Sequence, residues 1–360
     1  MDIQKLLKKY EEELKTIGEF QIAPGSWSPG PIINSPITAR ENFLRFGRRE
    51  KPMFMPFDTD EVMTSPAVFP DAVARGFCVD NVGLPPEGPG GKDMFGVEWV
   101  FIEQVGGSMV KPGNPTLEDV CDWESVIHFP NPDDWDWKGS AKANRALYGD
   151  AYATDVWIMN GLFERLISWM DFEGAAMALI DEDCEEELHR LFDRLTCLYE
   201  DMIGRIKKYF NPDILYFHDD WGSQRSPFFS PDTCREKILP YLKRVVAAAH
   251  NNGMLFNFHS CGCIGQLVPV MIEAGVDIWG GQPMNDYKAI YDKYGKDIAL
   301  EITITPPGVD STEEEVIASV QDFLEKYTTN GYACPMIYEP EYHPLYRPLM
   351  YCMSRELFAE

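Results

Sequence analysis

The segment "MLFNFHSCGCIGQLVPVMIEAGVDIWGGQ", Met254 to Gln282, carries the pattern of a strand, a helix and a second strand. "MLFNFHSCG" is a short apolar run ending in polar residues, which is the pattern of a buried strand. "IGQLVPVMIEAG" places apolar residues at helical spacing and stops on Gly275, a preferred helix terminator. "VDIWGGQ" is a second buried strand. A strand, a helix and a strand joined by short connections form a parallel unit.

The same alternation extends in both directions. Upstream lie the strands "DVWIMNG" and "PDILYFHDDWG", and the helix "SPDTCREKILPYLKRVVAAAHNNG" with Ser230 as its N-cap. A long helical segment between those two strands is broken near Asp181. Downstream follow "DYKAIYDKYGKD", "IALEITI", "STEEEVIASVQDFLEKYTTNG", "YACPMIYEP" and a last helix, "PLYRPLMYCMSRELF". No Gly-x-Gly-x-x-Gly turn follows an early strand, so a single (β/α)8 TIM barrel outranks a doubly wound sheet. Residues 39–360 are assigned to the barrel. Residues 1–38 form an N-terminal helical and loop extension, with a charged helix and a Pro/Gly-rich arm that carries Ile22, Trp27, Ile32 and Ile33.

Composition narrows the function. The chain has 360 residues and a net charge of −26, which repels nucleic acid. No apolar run is long enough to cross a bilayer and no signal-peptide core opens the chain, so a soluble cytoplasmic protein is expected. The nine cysteines are expected to be mostly reduced thiols.

In such a barrel, chemistry gathers where strands end and helices begin. The strand ends read "FHDDWGSQ", "FHSCGCIGQ", "WGGQPMND", "TITPPGVD" and "ACPMIYEPEYH". His259 and Cys261 alternate about Ser260, so strand geometry turns both to one side. Zinc accepts such nitrogen and sulfur ligands at roughly 2.0–2.3 Å. Cys334, on a late strand, is the best third candidate, and three protein ligands with one open position suit a catalytic zinc. Cys261 and Cys263 are spaced C-x-C, which disfavours a redox pair, and Cys263 reads as packing at a helix start. On spacing alone, a metal site and ordinary packing both stay open.

"FHSCG", preceded by "HDDWGSQRSPFFSPDTCREKILPYLKRVVAAAH" and followed by a helix, "AGVDIW" and a late lone cysteine, resembles the uroporphyrinogen decarboxylase superfamily. The resemblance is to its zinc-containing, cobalamin-dependent methyltransferase branch. It runs from about Ala39 to the C-terminus and includes "ARENFLRFGRREKPMFMPF". It implies zinc held by His259, Cys261 and Cys334, with a corrinoid carried by a partner protein. The arginine-rich segment of the decarboxylases is missing from "MPFDTDEVMTSP", so decarboxylation is not expected.

The resemblance implies methyl transfer from an O-methyl donor, such as a methoxylated aromatic, to the cob(I)amide of a corrinoid protein. Aromatic-rich segments favour that donor. The alternatives are a methyl-corrinoid:thiol methyltransferase and a noncatalytic ligand- or corrinoid-binding barrel. Asp219 and Asp220 are candidates for delivering a proton or holding a zinc ligand, or for capping the next turn. Asp58, Trp221, Gln282 and His343 are candidate substrate contacts. The partners expected are the corrinoid protein, a small-molecule methyl donor and, in a homodimer, a second copy of the chain.

Overall fold

A computed structural model describes residues 2–26, 30–104 and 107–359. Trp27, in the Pro/Gly-rich arm, lies outside the described residues.

Seven strands make one parallel sheet: β1 (Glu61–Val62), β2 (Ala153–Ile158), β3 (Ile214–His218), β4 (Leu255–His259), β5 (Ile278–Gly280), β6 (Ala299–Ile304) and β7 (Ala333–Ile337). They follow one another in chain order from β1 to β7. Helix α2 (Ala39–Gly47) precedes β1, and the helices between the strands include α3 (Leu162–Ala178), α4 (Glu185–Tyr209), α5 (Leu239–Asn251), α6 (Val268–Ala274), α7 (Tyr287–Tyr294) and α8 (Glu313–Tyr327). Every strand predicted from Asp155 onward forms, and the architecture is the expected α/β barrel.

Closure differs from the eightfold expectation. Among the described residues seven parallel strands pair, and no ladder joins β7 back to β1. The tight turn Asp58–Asp60 packs against β7 at that gap. The cause lies in the irregular first 150 residues. Instead of regular strand–helix units, they make a small antiparallel sheet of Gly91–Lys92, Glu98–Ile102 and Gly107–Val110.

Burial follows the strand pattern. On β3 and β4, Leu215, Phe217, Phe256 and Phe258 are fully buried against the helices. Tyr216, His218, Asn257 and His259 alternate with them and face the interior of the barrel. Parallel register sets His218 opposite His259, His259 opposite Gly280, Gly280 opposite Glu301, and Glu301 opposite Cys334.

Two local details depart from the simple pattern. The helix leading into α5 carries a π turn at Cys234–Ile238, because Pro240 has no N–H to continue the regular ladder. Cys121 and Cys184 form a disulfide, while the other seven cysteines are free. The N-terminal helix α1 (Ile3–Lys9) lies on the last helix, α9 (Tyr346–Ala359). Tyr10 there donates to Glu356 at 2.6 Å, and Arg355 Nε donates to Glu13 at 3.0 Å. No described helix is long and apolar enough to cross a membrane.

Candidate metal centre

Four side chains meet at the C-terminal ends of β3 and β4. One ligand atom each from His218, Asp220, His259 and Cys261 lies within 4.8 Å of all the others. Register explains the meeting. The two histidines are paired residues on adjacent strands, their rings stack at 5.1 Å, and each has its second donor two positions later. His259 Nε2 stands 3.5 Å from Cys261 Sγ, and His218 Nε2 stands 3.7 Å from Asp220 Oδ1.

The surroundings fix these donors. Glu164, in the first turn of α3, places Oε2 2.6 Å from His218 Nδ1, which leaves Nε2 directed at the group. Arg75 donates to the other Glu164 oxygen at 2.7 Å. The Cys261 N–H donates to Asp220 Oδ1 at 2.7 Å. The turn after Cys261 is tight: Gly262 has φ +99°, and a Cβ there would meet the Gly222 backbone at 2.4 Å.

Electrostatics separates the two histidines. Burial pushes His259 down to about 4, with help from His218, so it is a neutral imidazole. Burial also acts to lower His218, but Glu164 and Asp220 hold it well above its ordinary value. Asp220 would be raised by burial, yet His218, His259 and the Cys261 N–H keep it below the usual carboxylate range. Burial raises the Cys261 thiol, against the lowering effect of His218.

This donor set fits a zinc ion. Two imidazoles, a thiol and a carboxylate form a mixed nitrogen, sulfur and oxygen shell of the type zinc prefers. The buried His259 Nδ1 makes no well-formed hydrogen bond, and Glu164–His218 has the form of a carboxylate that orients a metal-binding imidazole. Glu164→Gln is expected to weaken metal binding by roughly 10- to 100-fold, read by competition with a chromophoric chelator. An unchanged affinity would leave Glu164 a structural role only.

The remaining sequence candidates fall elsewhere. Cys334 shares a strand row with His259 but sits three strands away, at about 4.8 Å per strand. It is fully buried, and its thiol is pushed well up by burial and by Glu301, Asp58 and Glu61. The structure therefore does not bring Cys334 into the group, and His218 and Asp220 stand where it was expected. Asp219 is a helix cap: it accepts the N–H groups of Leu162 (3.0 Å), Phe163 (3.2 Å) and Glu164 (2.8 Å) and the Trp221 indole N–H (2.9 Å). Both oxygens act as acceptors there, and burial together with Glu164 pushes the carboxyl up to about 7. Asp220 is held below the usual carboxylate range and faces the histidines.

Trp221 is fully buried and packs on Phe258 at 4.7 Å, so it belongs to the core rather than to a substrate surface. Gln282 Oε1 accepts the Gly262 N–H at 2.8 Å and thereby holds the ligand loop. Cys263 points its thiol at the Met284 carbonyl at 3.8 Å. His343 Nδ1 accepts the Leu345 N–H at 3.2 Å in the turn before α9. Asp58 does line an interior cavity of the barrel.

Sequence reading missed His218 and Glu164. The signal for His218 was present, because "FHDDWG" repeats the His-x-ligand spacing of "FHSCG" one strand earlier. Glu164 carried no such mark, since only the fold brings the start of α3 to the end of β3.

The family model described as uroporphyrinogen decarboxylase (URO-D) matches residues 165–335, a little under half of the chain. Among solved structures, a methyltransferase from Methanosarcina mazei is similar at 14% identity with a TM-score of 0.60. That match covers 90% of this chain and all of the other, and it shows a shared fold. A D-psicose 3-epimerase from Clostridium cellulolyticum H10, solved with D-tagatose, matches at 10% identity and a TM-score of 0.35, covering 62% of this chain and 78% of that one. A dihydropteroate synthase from Xanthomonas albilineans, solved with 4-aminobenzoic acid, matches at 13% identity and a TM-score of 0.22, covering 40% and 47%. No curated protein matches the chain.

Proposed function

We propose that this chain is a zinc-dependent methyltransferase of the uroporphyrinogen decarboxylase superfamily. It would move a methyl group from an O-methyl donor to the cob(I)amide of a corrinoid protein. The observation that carries the proposal is the meeting of His218, Asp220, His259 and Cys261 at the barrel mouth. The URO-D match and the fold shared with a methyltransferase support it.

His218, His259 and Cys261 would hold the ion, with Asp220 as the fourth ligand. A bound zinc supplies Lewis acidity to the oxygen that leaves the methyl group. In the transfer the methyl–oxygen bond would break, and the methyl carbon would pass to the partner's corrinoid, whose reduced cob(I)amide state supplies the bonding electron pair. The oxygen would keep its electron pair and take up one proton from water. Glu164 keeps the His218 ring in place throughout. The barrel mouth is the face on which the partner would dock.

The test is to mix zinc-loaded protein with free cob(I)alamin, standing in for the partner's corrinoid, and a panel of methyl ethers. Donor-dependent formation of methylcobalamin, followed by its visible spectrum, is expected. Methylcobalamin that is demethylated by thiols, with no donor ever methylating cob(I)alamin, would reverse the direction of transfer. No reaction of either kind would leave a binding barrel.

A further inference from the structure

A second constellation adjoins the metal group inside the barrel. A cavity of about 70 Å³ is lined by the carboxyl groups of Asp58, Glu61 and Glu301 and by the rings of Trp157, Tyr216 and Tyr338. Tyr216 stacks on Trp157 at 3.8 Å on one face and lies 6.2 Å from the His259 ring. The cavity and the metal group therefore share a wall.

The polar groups here are short of donors. Asp58 Oδ1 and Glu61 Oε2 on the lining, and Asn257 Oδ1 behind Glu301, are buried atoms with no hydrogen-bond partner. Asn257 is fully buried, alternates with Phe256 and Phe258, and so points inward beside Glu301, to which its Nδ2 donates at 3.1 Å. All three unpartnered atoms are acceptors, and burying an unpartnered acceptor costs roughly 1–3 kcal/mol. No basic side chain is among the described residues that line the cavity. The nearby Arg347 is committed to Asp60, donating at 2.7 Å, and to Thr59. Burial pushes Glu301 up to about 8, with repulsion from Asp58 and Asp155 adding to it, and pushes Asp58 up to about 7 against the lowering effect of Arg347.

Surplus acceptors facing aromatic rings call for a cationic donor. An inorganic divalent ion needs several converging oxygens, yet among the described residues these carboxylates do not converge closely enough to form such a group. Aromatic faces attract an organic cation instead. We propose that this cavity receives a small alkylammonium group, so that the O-methyl donor presented to the neighbouring metal group carries a cationic amine. Its N–H groups would meet the unpartnered oxygens of Asp58 and Glu61, and its alkyl carbons would lie against Trp157, Tyr216 and Tyr338. An acidic or neutral ether is then a poor substrate. This rests on the methyl-transfer proposal only for the word substrate, because binding itself does not depend on it.

Titration calorimetry with methylammonium and trimethylammonium, against acetamide and acetate as neutral and anionic probes, tests the idea. The experiment uses metal-stripped protein and His259→Ala, neither of which can carry out the metal-dependent transfer, so failure of the methyl-transfer proposal leaves it standing. Ammonium ions are expected to bind in both and the other probes in neither. Glu301→Gln should weaken binding on the order of a hundredfold, as loss of a buried charge partner does. If Glu301→Gln fails to fold, the less buried Glu61→Gln serves, with a loss of roughly tenfold. Equal binding of acetamide, preference for Mg2+ over the ammonium ions, or indifference to both substitutions would overturn the proposal.

Discussion

His259→Ala is expected to abolish stoichiometric zinc binding and donor-dependent methyl transfer together, while circular dichroism stays that of the parent. Neutral His259 lies at the centre of the group, 3.5 Å from Cys261 and stacked on His218. Its removal leaves His218 at the end of β3 and Asp220 and Cys261 on the loops that follow the two strands. Cys334→Ala is the matching control, since Cys334 lies three strands away. Cys334→Ala should keep its zinc and lose only packing, about 1 kcal/mol for a small buried side chain. Zinc content by atomic emission, measured beside activity, reads both variants. Equal zinc loss in the two would return Cys334 to the metal shell.

Asp219→Ala should give the largest loss of stability of any substitution considered, about 3–5 kcal/mol in urea unfolding. The substitution strands three N–H groups at the start of α3 and the Trp221 indole, all buried. Gly161 packs against this carboxylate so closely that a Cβ would come 2.3 Å from the Asp219 Cβ, so no other side chain takes up the space. Because Glu164 is among the capped residues, zinc affinity should fall as well. Asp219→Asn keeps one acceptor oxygen and should fall between the two proteins. A loss below about 1 kcal/mol for Asp219→Ala would show that the cap is not what anchors α3.

The barrel was legible because β2 through β7 combine apolar runs with glycine-terminated helices, and local pattern is enough to place such units. The first 150 residues were not, since their antiparallel sheet and the Asp58–Asp60 turn depend on contacts distant in sequence. Half of the metal group was readable in the same way. His259 and Cys261 share one strand end, and alternation alone joins them.

The other half needed register. His218 meets His259 only because β3 and β4 pair at those residues, and Cys334 is excluded only because β5 and β6 stand between it and the group. Residue type and a place on a late strand suggested Cys334 as the third ligand, and the family resemblance agreed, whereas three-dimensional proximity selects His218 and Asp220. The adjacent aspartates show the same limit. Both follow a buried strand, but Asp219 turns toward the start of α3 and Asp220 toward the histidines. Nothing in "HDDWG" distinguishes them.

X-ray absorption at the zinc edge of the reconstituted protein examines the site itself. A shell with one sulfur, two imidazole nitrogens and oxygen is expected from Cys261, His218, His259 and Asp220. Two sulfurs in that shell, or a protein that takes up no stoichiometric zinc, would contradict the assignment.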